Sequence, residues 1–314
     1  MIHTAEFYAN LGVETIRFLE DKFKMQISEI NQNVNLEEFK CIKFYIYKMY
    51  GVWKFNLFID FIKLLNKTEI TEIDYQDIEK KLKKIILLIF DKEALNIEFI
   101  LKRLDYRKDI KVNREEREIL LKIYKKAKET SKFKKKNTEY DTTIYYTNKS
   151  MTVILYDKEK ERIDKKHSIE EYEKNTLRLE VRLFPRHLNS QKRRSKREKS
   201  LKAYLNDAIY KEYLEKNAFP IFYKGNHYKI QIIEKILTDN NIKNKDKNYI
   251  LEFLKYISCY GYESAINKKN EREELKWSTY KVKKYIKLLE NLNINPFIIP
   301  MRESVEVIEN KFLL

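Results

Sequence analysis

Leu177–Leu183 (LRLEVRL) alternates apolar and charged residues without a break. Successive side chains of a β-strand point to opposite faces. Leu177, Leu179, Val181 and Leu183 therefore form one face, and Arg178, Glu180 and Arg182 the other. Two earlier stretches read the same way. In Leu101–Ile110 (LKRLDYRKDI), Arg103, Asp105, Arg107 and Asp109 share a face opposite Leu104, Tyr106 and Ile110, with Lys108 the one misfit. In Thr143–Arg162 (TIYYTNKSMTVILYDKEKER), Thr152, Ile154, Tyr156 and Lys158 fall on one side of a strand. A sheet with helices on one face would leave the other free to gather Asp105, Asp109, Glu180 and Tyr156. Any half-exposed antiparallel strand alternates in this way, so the pattern fixes geometry before it says anything about chemistry.

The flanking sequence supplies the helices. Ile2–Ala9 reads as a strand, and Val13–Ser28 as a helix with Ile16, Leu19, Phe23 and Ile27 on one stripe. Phe39–Leu65 is aromatic and β-branched and breaks at Gly51, which predicts two strands. Asp74–Asp91 and Arg114–Thr130 have helical spacing. Segregated helices over one sheet make an α+β fold, an antiparallel sheet with helices packed on one face. From Ser200 the pattern is helical: Leu201, Tyr204, Leu205, Ala208 and Ile209 form a stripe, and Leu251–Tyr260 and Thr279–Leu292 follow. The last helix has Ser278 or Thr279 as its cap. Val282, Ile286 and Leu289 face inward, with Lys281, Lys283, Lys284 and Lys287 elsewhere on its surface. With the extended Asn293–Pro300 behind it, this part reads as a mainly α-helical, winged-helix-like domain. Two basic stretches read as loops: Lys132–Lys136 (KFKKK) and Gln191–Lys199 (QKRRSKREK), the second a linker. The expected organisation is a sheet domain over 1–190, a basic linker over 191–199 and a helical domain over 200–314.

Of the 314 residues, 65 are Lys or Arg and 48 Asp or Glu, a net charge of +17. That excess favours polyanions such as nucleic acid. Abundant Ile, Asn and Lys with scarce Gly and Pro also mark a compositional bias, which explains scattered lysines better than the clustered Arg193, Arg194 and Arg197. Cys41 and Cys259 are far apart and fit no metal spacing, which argues for reduced thiols. The longest apolar stretch, Ile85–Phe90 (IILLIF), is too short to span a bilayer. With no basic-then-apolar leader at the N-terminus, the expectation is a soluble, cytoplasmic protein without membrane partners.

Three carboxylates, a tyrosine and a lysine suit metal-assisted attack of a tyrosine on a phosphodiester. Carboxylates are hard donors for Mg²⁺ or Mn²⁺, and a tyrosine hydroxyl with an ordinary pKa near ~10 needs activation by metal or cation. The residues alone do not choose the tyrosine: there are 23, and Tyr145, Tyr146, Tyr204, Tyr210 and Tyr213 compete with Tyr156.

The three strands, in their order, resemble those of rolling-circle replication initiators. The nearest patterns are those of the phage and plasmid gene II/X-type proteins and the Rep_trans branch of the HUH endonuclease superfamily. Arg103-Leu104-Asp105-Tyr106-Arg107-Lys108-Asp109 is similar to the family's first strand. Thr143-Ile144-Tyr145-Tyr146, then Leu155-Tyr156-Asp157-Lys158 and Glu161, resemble its tyrosine unit, and Arg178-Leu179-Glu180 its last strand. The resemblance covers roughly residues 97–185, and Ser278–Pro300 also looks like the tails of the gene II/X-type proteins. His3, His167, His187 and His227 stand alone, so the superfamily's His pair is missing and carboxylates must replace it.

The resemblance implies that Tyr156 is the nucleophile, aided by Lys158, and that Asp105, Asp109 and Glu180 hold Mg²⁺ or Mn²⁺. It implies nicking and rejoining of a DNA origin through a 5′-phosphotyrosyl link. The expected partners are double-stranded origin DNA, a hairpin or single-stranded nick site, and a host helicase. Arg193, Arg194 and Arg197 would touch phosphates, and Lys281 and Lys284 would sit on the reading helix; dimerisation is the other use of the C-terminal part. The alternatives are a non-catalytic origin-binding, copy-control protein and a mobilisation relaxase.

Overall fold

The computed structural model describes residues 1–34, 40–91, 97–136 and 140–312; Phe39, the expected start of the first hairpin, lies outside them. The strands are β1 (Ile2–Leu11), β2 (Ile42–Met49), β3 (Val52–Asp60), β4 (Ile100–Lys111), β5 (Lys134–Lys136), β6 (Thr143–Thr147), β7 (Met151–Asp157), β8 (Thr176–Leu183), β9 (His227–Tyr228) and β10 (Val307–Ile308). The helices are α1 (Val13–Phe23), α2 (Ile27–Asn33), α3 (Phe61–Leu65), α4 (Tyr75–Phe90), α5 (Arg114–Tyr124), α6 (Lys158–Asp164) and α7 (Pro185–Ser195). They continue with α8 (Leu201–Tyr204), α9 (Asp207–Asn217), α10 (Phe219–Phe222), α11 (Ile230–Asp239), α12 (Asn244–Tyr260), α13 (Tyr262–Asn267) and α14 (Thr279–Asn291). One large sheet has the order β2-β3-β1-β4-β8-β7-β6-β5, and β9 pairs with β10. Pairings β1–β3, β1–β4, β2–β3, β5–β6 and β6–β7 are antiparallel.

The chain forms two compact units. The first is residues 1–107, 149–151 and 180–212; the second is 108–148, 152–179 and 213–314. In the first, β1 and β3 pair in unbroken register from Thr4↔Asp60 to Leu11↔Trp53, and β2 continues the sheet with Tyr45↔Asn56. Alternation puts Ala5, Phe7, Ala9, Phe55, Leu57 and Ile59 in the core. Phe55, Phe90 and Phe99 pack edge-on there, with centroids 5.0 to 6.3 Å apart. The β2–β3 turn places both Tyr50 (φ 50°) and Gly51 (φ 78°) in the left-handed region, as tight hairpin turns require. Along β1 and β4 the register shifts between Ile2 and Thr4 and again between Glu6 and Phe7.

Several elements differ from the sequence reading. The helix expected over Val13–Ser28 breaks at Lys24, a left-handed C-cap, and restarts as α2 behind a capping box of Gln26 and Glu29. The last three residues of the basic stretch Lys132–Lys136 are the strand β5, paired with Tyr145–Thr147. The first half of the stretch 191–199 is the end of α7, which starts at Pro185, where proline's fixed φ suits a first helical turn. Lys158 is not on the Tyr156 strand. The Asp157 side chain accepts from Lys160 N at 3.0 Å and starts a helix there. Asn293–Pro300 makes isolated bridges, Ile294 with Asn226 and Ile299 with Lys229, and the paired ribbon is instead β9 with β10.

The second unit's core is aromatic. Tyr124 of α5 meets Phe222 at 5.0 Å and Phe297 at 6.2 Å. His227 of β9, fully buried, faces the Phe297 carbonyl through Nδ1 at 2.8 Å and Tyr124 Oη through Nε2 at 2.9 Å. Nδ1 must carry the proton, so Nε2 accepts from the tyrosine. Burial holds His227 down to about 4. The unfolded state therefore binds the extra proton between about pH 6.5 and pH 4, and stability falls as pH falls through that window. The expected loss is about 3 kcal/mol between pH 7 and pH 4. Urea unfolding at pH 7 and pH 5 should show a large part of it, and His227→Gln should remove that pH dependence.

Candidate functional site

Asp105 sits near the middle of β4, 1 % exposed, and its carboxylate is fully engaged. Arg103, two residues back on the same strand face, donates from Nε to Oδ1 at 3.0 Å and from Nη2 to Oδ2 at 2.5 Å. Arg182 of β8 donates from Nε to both oxygens at 3.1 Å, and Thr4 Oγ1 of β1 donates to Oδ2 at 2.9 Å. The guanidiniums lead on to further carboxylates. Arg103 Nη1 reaches Glu6 Oε1 at 2.9 Å, and Arg182 Nη2 reaches Glu180 Oε2 at 3.4 Å. His3 Nδ1 lies 3.7 Å from Glu180 Oε1. Burial disfavours charge on Arg103, but the bonds and charge of Asp105 with the charge of Glu6 outweigh it, so its pKa is raised. The cluster draws on β1, β4 and β8 within the first unit.

A second constellation lies in the second unit. Tyr156, partly exposed, is the penultimate residue of β7, and Lys158 is the first of α6. The Lys158 ammonium is buried, 5.9 Å from the Tyr156 ring centroid, 2.7 Å from Glu161 Oε2 and 3.6 Å from Glu173 Oε1. Burial, then the charge of Arg178, lower its pKa, against the bond and charge of Glu161. Burial would raise the Glu161 carboxyl, but the bonds from Lys158 and Lys165 prevail and hold it down at about 2. Arg178 grips Asp109 with two bonds of 2.7 and 2.9 Å. Arg117 of α5, itself buried, donates to Asp157 Oδ2 at 2.9 Å and Glu159 Oε2 at 2.8 Å, the neighbours of Lys158 on either side.

Burial separates Tyr156 from most rivals. Tyr146 and Tyr204 are fully buried, and Tyr210 and Tyr213 nearly so. The Tyr146 hydroxyl donates to the Ala127 carbonyl at 2.8 Å, and burial pushes Tyr204 up to about 12. A buried phenol with a raised pKa is a poor nucleophile. Tyr145 stays partly exposed beside Lys136, 5.9 Å from its ring.

Of the expected DNA contacts, Arg193 and Arg194 are exposed on the last turn of α7. Arg197 turns back to Glu212, 3.9 Å away, and to the Tyr204 ring, 5.5 Å away. Lys281 and Lys284 are exposed on α14, 5.2 Å from the rings of Tyr249 and Tyr285.

The structure brings together residues that strand alternation did not connect. Thr4, Glu6 and His3 reach the Asp105 cluster only through the pairing of β1 with β4, which no local pattern displays. Arg117 was legible as a helix residue and no more. Asp105 accepts five hydrogen bonds, both Asp109 oxygens accept from Arg178, and Glu180 Oε2 accepts from Arg182 Nη2. Among the described residues no group of three or more His, Cys, Asp or Glu is placed to hold a metal ion. No described helix is long and apolar enough to cross a membrane.

Residues 75–203, less than half of the chain, match the phage CRI family model, which describes the N-terminal part of a replication-associated protein. The match encloses Asp105, Asp109, Tyr156, Lys158 and Glu180 as well as Arg193, Arg194 and Arg197, and it supports a relationship to rolling-circle replication initiators. No curated protein matches the chain.

Asp105→Asn removes the charge that two guanidiniums share while keeping the side chain's shape. Breaking a buried ion pair on one side is strongly destabilising, and the partial exposure of both arginines softens the cost to about 2–3 kcal/mol. Chemical denaturation should show that loss. Glu6→Gln, at the more exposed end of Arg103, should cost less.

Proposed function

We propose that the chain nicks and rejoins DNA as a replication initiator, with the Tyr156 hydroxyl as nucleophile. The observation that carries this reading is Tyr156 itself: a partly exposed tyrosine with a buried lysine ammonium beside its ring, inside the segment that matches the family model. The ammonium favours the phenolate, and burial strengthens that effect. Glu161 and Glu173 fix the lysine's position, so no reorganisation is needed when charge develops on the tyrosine oxygen.

Attack of the tyrosine oxygen on phosphorus forms a Tyr156–phosphate bond and breaks the bond to the leaving 3′-oxygen, which takes up a proton. The energy of the phosphodiester is kept in the phosphotyrosyl link, so a later 3′-hydroxyl can reverse the step and reseal the strand. A hydrolytic nuclease, where water attacks, has no such return. Arg193 and Arg194 on α7 would hold DNA phosphates, and the lysines of α14 would hold the origin duplex, which gives the C-terminal helices a recognition role. A helicase partner and a plasmid or phage setting belong to the same reading.

Covalent capture of a single-stranded origin oligonucleotide tests it. The wild-type chain should become DNA-linked on a denaturing gel, Tyr156→Phe should not, and duplex binding should be nearly unchanged. Lys158→Ala should slow capture by tenfold or more, about 1.4 kcal/mol of barrier, and move its rise to higher pH as the phenol loses its cation. Chelation and add-back of Mg²⁺ or Mn²⁺ in the same assay measure metal dependence. A Tyr156→Phe chain that still links to DNA transfers the role to another tyrosine, with Tyr145 the first to test.

A further inference from the structure

We propose that the β2–β3 hairpin of the first unit docks unpaired DNA bases, as a contact separate from the tyrosine that cuts. The hairpin carries an unusual load of uncovered aromatic and apolar surface. Tyr50 is 91 % exposed at its tip, Tyr45 46 %, Val52 44 % and Met49 40 %. Tyr45 and Tyr47 project from the same face of β2 with ring centroids 5.2 Å apart and planes 28° from parallel, a stacked pair. That face is opposite the one carrying Ile46, Phe55 and Leu57 into the core, so packing of the unit does not account for the tyrosines. Tyr50 adds to the point. It holds the left-handed conformation of the turn, which bulky side chains rarely adopt, and its ring stands in solvent.

Charge decides the kind of occupant. Lys43 and Lys54 share the face of the two tyrosines, Lys48 lies at the hairpin end over the Trp53 ring, and residues 41–59 contain no Asp or Glu. The same face continues across the sheet: Tyr45 pairs with Asn56 and Asn56 with Tyr8, whose ring has the Lys199 ammonium 5.2 Å away. Flat rings interleaved with lysines match single-stranded nucleic acid, whose bases stack on aromatic side chains while lysines follow the phosphates. A duplex keeps its bases stacked on one another and offers no such faces. A second copy of this chain would bring the same lysines against these. The edge of β2 is also closed to strand addition at its middle, where Asn31 of α2 takes both the N–H and the C=O of Ile46 at 2.7 Å. The biological sense of the site rests on the proposed role in DNA nicking, but its chemistry does not need Tyr156.

The test is photocrosslinking of the full chain to a single-stranded oligonucleotide carrying 5-bromodeoxyuridine, with the linked peptides mapped, beside binding titrations of the same strand and of its duplex. Crosslinks are expected within residues 41–59. Tyr45→Thr with Tyr47→Thr should abolish them and weaken single-strand binding by about tenfold for each stacked base lost, with less than a twofold change for the duplex. Tyr45 is exposed and Tyr47 half-buried, both on the face away from the core, so the melting temperature should fall only slightly. Tyr156→Phe should crosslink as wild type does, which separates failure of this site from failure of the nicking reading. Crosslinks confined to other residues, unchanged single-strand affinity, or a concentration-dependent dimer that the double variant abolishes would each overturn the proposal.

Discussion

Asp105 is a carboxylate held between two guanidiniums, and the polar face of the first unit is arranged around that balance of charge. A buried anion is tolerated only when its lone pairs are filled and its charge is met. Arg103 and Arg182 meet the charge and Thr4 fills a remaining position, so three strands contribute side chains to one ionic centre. Each arginine then needs a second acceptor, which places Glu6 and Glu180 where they are. The polar face follows from satisfying one residue after another outward from Asp105, much as a core follows from filling space.

Alternation made the sheet legible. The runs at β4, β7 and β8 were readable because period-two patterning is a local property, and the register within β1–β3 then follows from which residues must be inward. Two features escaped it for different reasons. Lys158 looked like a strand residue because Tyr156 and Lys158 are two apart, but Asp157 competes for the backbone as a helix cap, and in Asp-Lys-Glu-Lys-Glu the acidic first turn favours the helix. The contacts of His3, Thr4 and Glu6 with residues far along the chain, Glu180, Asp105 and Arg103, depend on strand pairing, which a single sequence does not specify. The bonds of Asp105 to Arg103 and Arg182 and of Asp109 to Arg178 were also out of reach, because residue type says which groups can pair and not which ones meet.

The start of α6 also changes how Lys158 acts. On a strand it would have presented an ammonium to solvent beside the tyrosine. As the first residue of a helix capped by Asp157, with Arg117 bonded to the residues on both sides, it is turned inward and held by Glu161 and Glu173. A lysine fixed in this way contributes to charge stabilisation without the loss of rotamer freedom a surface lysine would incur.

The short strand β5 ends the sheet on three consecutive, exposed lysines. An open sheet edge offers unpaired backbone groups to any extended chain. Here Glu129 blunts it twice: Lys135 N donates to Glu129 Oε1 and the Lys134 ammonium bonds Glu129 Oε2, both at 2.9 Å. One carboxylate from outside the sheet thus fills a backbone donor that another strand would seek and meets one of the three lysine charges.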